Sequence, residues 1–148
     1  MNKMLLAGLA LVAVMTSCGG AAITNTYKTT LSPANEVPPV TTAPGATGTV
    51  SAYLDINTKV LTVSGTYTGL TGPIVSPGAH LHGPAVVGVN APPVFFLTFP
   101  ATGTSGVLSG TFTLTDTQVS EFNEGKFYVN LHTTANGGGE IRGQLIKQ

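Results

Sequence analysis

From residue 50 onward one pattern recurs along the chain: apolar and polar residues alternate with a period of two. Val50, Ala52, Leu54 and Ile56 interleave with Ser51, Tyr53 and Asp55, and Leu61, Val63, Gly65 and Tyr67 with Thr62, Ser64, Thr66 and Thr68. Leu108, Gly110, Phe112 and Leu114 alternate with Ser109, Thr111 and Thr113, and Phe127, Val129 and Leu131 with Tyr128, Asn130 and His132. The last such run sets Ile141, Gly143 and Leu145 against Glu140, Arg142 and Gln144. Successive side chains of a strand point to opposite faces, so this alternation predicts strands with one face on a core. Residues 55–59 read as a hairpin turn with Asn57 at its tip. Residues 24–31 predict a first strand. Residues 95–99 predict a less regular one between Pro93 and Pro100. One segment departs from the pattern: Thr115-Asp116-Thr117-Gln118, then Val119 and Phe122, then Gly125. It predicts a helix of about two turns, capped by Thr115 or Asp116 and stopped at Gly125. Seven or eight strands with frequent turns make an all-β fold, an antiparallel sandwich or Greek-key barrel with one short helix.

Composition narrows the function classes. Charged residues are 8% of the 148, with six Lys plus Arg against six Asp plus Glu, so no basic stripe exists for nucleic acid. The chain lacks the high net charge and low hydrophobicity of a disordered one. There is no GxGxxG between a strand and a helix, so nucleotide binding has no support.

The first residues read as an export signal. Lys3 gives a positive start, residues 4–15 are uncharged and mostly apolar, and Met15-Thr16-Ser17 leads into Cys18. Twelve residues are too few for a bilayer core of about 30 Å, which takes roughly 20. Cys18 is the one cysteine and has no intramolecular disulfide partner. Its position resembles the lipobox of bacterial lipoproteins, where the thiol is lipidated and becomes the mature N-terminus; Met15 stands where Leu is usual. The expected organisation is a signal peptide over residues 1–17, a lipidated cysteine and tether over 18–26, and one domain over 27–148. The chain is then held to a membrane through Cys18, in the bacterial cell envelope, on the outer membrane or the periplasmic face.

All three histidines fall in two short motifs, Ala79-His80-Leu81-His82-Gly83-Pro84 and Asn130-Leu131-His132-Thr133. On a strand, His80 and His82 share one face while Leu81 turns to the core. His132, from a paired strand, makes a third nitrogen available, and imidazole suits copper and zinc. Glu36 and Glu140 are candidates for a further ligand or for orienting an imidazole. Histidines on polar strand faces can equally be structural, hydrogen-bonded to turns. In Gly137-Gly138-Gly139-Glu140-Ile141-Arg142-Gly143, three glycines permit a tight turn with positive φ. Glu140 and Arg142 then share a face, where they can pair or link to His132. Without a cysteine beyond Cys18, thiol catalysis is excluded.

Four motifs in order carry a family resemblance: Asn35-Glu36-Val37-Pro38-Pro39, Ala79-His80-Leu81-His82-Gly83-Pro84-Ala85, Tyr128-Val129-Asn130-Leu131-His132-Thr133 and Gly138-Gly139-Glu140-Ile141-Arg142-Gly143-Gln144. Together they resemble the CHRD domain, named from chordin and widespread in bacterial exported proteins. The likeness runs over about residues 27–146, with Leu81 where the family has isoleucine. It implies an immunoglobulin-like or superoxide-dismutase-like sandwich, and it hands over no activity. The matching motif positions are Glu36, His80, His82, Asn130, His132, Glu140 and Arg142. His-x-His on a strand also resembles copper–zinc superoxide dismutase, but the fourth copper-side histidine, zinc loop and disulfide of that family are absent.

Three functions follow. The first is a binding module for copper or zinc at His80, His82 and His132, with Glu36, Asn130, Glu140 and Arg142 around them. The others are a copper redox enzyme at the same histidines and an adhesion or protein-binding sandwich with structural histidines.

Overall fold

The computed structural model describes residues 23–100 and 102–148. The signal segment, Cys18 and the first part of the tether lie outside the described residues. The chain forms β1 (Thr24–Leu31), a 3-10 turn (Pro33–Asn35), β2 (Thr47–Asp55), β3 (Val60–Thr68), β4 (Ile74–His82) and β5 (Pro93–Phe96). After these come β6 (Gly106–Thr113), α1 (Asp116–Asn123), β7 (Tyr128–Thr133), β8 (Ile141–Gln144) and β9 (Ile146–Lys147). They make two sheets, five-stranded β6-β3-β2-β1-β9 and four-stranded β5-β4-β7-β8, with antiparallel pairs throughout. The fold is a sandwich, not a barrel.

The five-stranded sheet follows the alternation closely. Val50, Ala52, Leu54, Leu61, Val63, Tyr67 and Leu108 are buried, while Tyr53, Thr62, Ser64 and Thr66 face solvent. The β2–β3 hairpin closes where Asp55 accepts the Asn57 and Thr58 amides at 2.9 and 3.2 Å. Lys59 takes the left-handed conformation, φ 59°.

Three features depart from expectation. Nine strands form among the described residues, because the final run divides at Leu145. The buried Leu145 donates its amide to Phe127, and the next residue, Ile146, pairs with Lys28 in the other sheet. β5 starts at Pro93 and stops at Phe96, earlier than the apolar residues 95–99 suggest. It is an edge strand, where a proline at the first position costs no ladder bond. Thr98 then bridges to Ser109 of β6, carrying the chain across to the five-stranded sheet.

The third departure positions the site. β7 reads as half-exposed, yet five of its six residues are buried and His132 is half-buried. Residues 33–40 and 84–92 lie over the polar face of the four-stranded sheet. Asn90 joins the two segments by donating to the Val37 carbonyl. Asn35 donates to the Arg142 carbonyl, and Gln144 to that of Ala85. Polar strand residues are thereby taken out of water.

α1 begins with a capping box: the Thr115 hydroxyl accepts the Gln118 amide, and the Gln118 side chain accepts the Thr115 amide. Asp116 instead pairs with Lys59 at 2.6 Å. Gly125, φ 69°, lies just beyond its end. Phe122 is fully buried, stacked on Phe127 at 4.4 Å and edge-on to Tyr27 at 5.4 Å. No helix among the described residues is long and apolar enough to cross a membrane.

Candidate metal centre

β4 and β7 are neighbours in the middle of the four-stranded sheet, with His80 opposite Asn130, Leu81 opposite Val129 and His82 opposite Tyr128. The two-residue spacing puts His80 and His82 on one face and sends Leu81, fully buried, into the core. His132 lies two residues beyond Asn130 on β7 and joins them. Ring centroids stand 5.3 Å apart for His80 and His82, 5.1 Å for His80 and His132, and 5.7 Å for His82 and His132. One nitrogen from each ring can be chosen so that all three lie within 4.8 Å of one another. Nitrogens bound to one tetrahedral ion at about 2.0 Å are about 3.3 Å apart, so small side-chain rotations close the set.

The hydrogen bonds decide which nitrogens are free. His82 Nδ1 faces the Ala91 carbonyl at 2.9 Å and His132 Nδ1 that of Gly137 at 3.0 Å. A carbonyl oxygen only accepts, so each Nδ1 carries the proton and each Nε2 keeps its lone pair. The Nε2 atoms of all three histidines, with Nδ1 of His80, are buried without a hydrogen-bond partner. Each such group costs about 1–3 kcal/mol when nothing satisfies it. An imidazole held by Nδ1–H on a carbonyl, with Nε2 presented, is the arrangement that orients a metal ligand.

The surroundings favour the neutral form of His80 and His82. Burial lowers the His82 pKa to about 4, opposed by the Ala91 carbonyl and assisted by the charges His80, His132 and Arg142 can carry. Burial also lowers that of His80, helped by a charge on His132. The Pro77 carbonyl opposes the His80 shift without making a hydrogen bond of good geometry. Tyr128 stacks on His82 at 4.9 Å and 8°, with the Arg142 guanidinium 3.5 Å over the far side of the tyrosine ring. Phe96 meets His80 edge-on at 5.0 Å.

Asn130 and Glu36 continue the same polar face. The Asn130 amide donates to Glu36 Oε2 at 3.3 Å, and Glu36 Oε1 and Asn130 Oδ1 are buried without partners. Burial pushes the Glu36 carboxyl up to about 7, against the Arg142 charge and the Asn130 amide. The Glu36 carboxylate and Asn130 amide lie so close to Gly139 that a Cβ there would sit within 2.8 Å of them.

Arg142 and Glu140 are engaged elsewhere than expected. Arg142, 2% exposed, donates to Asn90 Oδ1 at 2.8 Å and to the Val89 carbonyl at 2.7 Å, which fixes the covering segment. Glu140 forms neither the Arg142 pair nor the His132 link. Its carboxylate accepts the Thr71 amide at 2.6 Å, the Thr71 hydroxyl at 2.7 Å, the Asn136 amide at 3.0 Å and the Thr133 hydroxyl. Thr133 follows His132 on β7, so its side chain lies on the opposite side of the sheet. The turn at Gly139, φ 127°, delivers Glu140 there.

Sequence reasoning missed Tyr128, Asn90, Phe96 and the carbonyls of Ala91 and Gly137. The aromatic at Tyr128 was legible as a residue on the histidine face of β7. A backbone carbonyl leaves no mark in a sequence. Residues 27–145 match the CHRD domain. Neither a curated protein nor a solved structure matches the chain.

Proposed function

Since the chain belongs to the CHRD domain family and its three histidines converge within the matched segment, we propose that it is a metal-binding module of the cell envelope, taking copper or zinc at His80, His82 and His132. One observation carries this reading: three buried imidazole nitrogens converge with no hydrogen-bond partner, while the opposite nitrogens of two rings are tied to carbonyls. Without an ion, several desolvated acceptors face one another at a cost in stability. Shared by one ion, they are satisfied. An all-imidazole donor set favours copper and zinc over calcium and magnesium, which take oxygen ligands. The lipid on Cys18 would keep the module at a membrane surface. Support for that part is the sequence layout of residues 1–18.

Metal content tests the proposal. Residues 21–148, purified without a histidine tag and dialysed against copper or zinc, should retain about one ion per chain. The triple variant His80→Ala, His82→Ala, His132→Ala should retain none. Metal-free wild-type protein, or metal persisting in the triple variant, would exclude this site.

A further inference from the structure

Seven buried side-chain atoms lack hydrogen-bond partners among the described residues, and six of them belong to one patch: His80 Nδ1 and Nε2, His82 Nε2, His132 Nε2, Asn130 Oδ1 and Glu36 Oε1. The seventh, the Tyr67 hydroxyl, belongs to β3 in the other sheet. An ion bound by one nitrogen from each histidine leaves unanswered the second His80 nitrogen, which carries that ring's proton, and the Asn130 and Glu36 oxygens. Both oxygens are acceptors, and both need a donor. Asn130 is directly opposite His80 across the β4–β7 ladder and two residues from His132 on the same face, and Glu36 is hydrogen-bonded to Asn130. Glu36 does not enter the group of ligand atoms lying within 4.8 Å of one another.

A water molecule on the ion answers this deficit. Its oxygen gives a lone pair to the metal, and its two O–H bonds meet the two acceptors. We propose, resting on the metal-binding reading above, that the site has three protein ligands and one exchangeable solvent position, held by Glu36 and Asn130. Three ligands with an open fourth position is the arrangement that admits an exogenous ligand, whereas structural zinc sites are closed by four protein ligands. The class of ligand follows from the space water leaves. It is a small monodentate ligand that, like water, keeps a proton to donate to Glu36 or Asn130; a donor-free anion such as azide enters the same position against the carboxylate charge.

Azide binding to the cobalt(II)-loaded protein at pH 8 tests this, because the visible bands of cobalt report its coordination. The mature chain, residues 18–148, should bind one cobalt ion, and azide should then shift those bands with single-site saturation. Glu36→Gln keeps the shape of the side chain and removes its charge. A unit charge about 5 Å away, at an effective dielectric of about 20, is worth more than about a hundredfold in affinity, so azide should bind at least tenfold more tightly to Glu36→Gln. Bands unmoved by saturating azide in the wild-type protein would show a closed site and overturn the proposal. Equal azide affinity in the two proteins would remove Glu36 from the solvent position and overturn it as well. A Glu36→Gln spectrum already different before azide is added would make Glu36 itself the fourth ligand, again overturning it. Failure of the wild-type chain to hold cobalt, copper or zinc would instead sink the metal-binding reading beneath it.

Discussion

The Glu140 carboxylate is fully buried, and its oxygens are met by four side-chain and backbone donors from Thr71, Thr133 and Asn136. Burial alone would raise its pKa. The donors outweigh burial and hold it below the ordinary carboxylate value. A depressed folded pKa stabilises the fold at pH above the unfolded value, and the gain is lost as pH falls through the folded one. Glu140→Gln puts an amide N–H₂ against groups that are themselves donors. It should cost about 2–3 kcal/mol at pH 7, the scale for charged hydrogen bonds left unmade, and lower Tm by roughly 10 °C. Thermal melts should show the gap between wild type and variant narrowing below about pH 4.5. A gap that stays constant down to pH 2 would mean that the charge contributes nothing. The role of Glu140 was not legible in the sequence. Three consecutive glycines announce a turn, but which of them takes φ 127°, and so which face receives Glu140, depends on the partner strand. His80, His82 and His132 were legible because a period of two fixes the face of each without reference to any loop.

Among the elements, α1 joins β6 of one sheet to β7 of the other and plugs the space between them with Phe122. Its eight residues are too short to be stable alone, so its caps matter. Thr115→Ala removes the hydroxyl that accepts the Gln118 amide and should cost about 1 kcal/mol, read as a lowered midpoint in urea with an unchanged slope. A wild-type midpoint in the variant would show that packing of Phe122 alone holds the helix. The helix and the long strands were legible because each satisfies its backbone locally or through a regular ladder. β5 and β9 were not. They are short, and each is defined by where the chain changes sheets, which apolar spacing does not encode. Nor was the burial of the histidine face. It comes from residues 33–40 and 84–92, whose prolines and glycines mark them as loops without saying what they cover.

Across the whole molecule, one sheet faces water on its outer side and the other is covered on both. The described domain starts at residue 23, five residues beyond Cys18, so a lipid there would leave the sandwich on a short tether. Cys18→Ala should release the protein from washed membranes or leave it with an uncut leader, seen by fractionation and intact mass. A wild-type mature N-terminus elsewhere than Cys18, free of lipid, would overturn the lipoprotein proposal. The histidines also bear on how the chain is held together. His82 and His132 are fifty positions apart in sequence and are brought side by side by the pairing of β4 with β7. A ligand gripping both closes a loop of that length, as a disulfide would, in a domain whose described residues contain no cysteine. Closing a fifty-residue loop in the unfolded chain removes conformational freedom worth about 4 kcal/mol in the chain-entropy account of cross-links. That gain depends on the separation of the two strands along the chain and not on the chemistry of what bridges them, so an ion with no reaction to perform would still act here as a fastener.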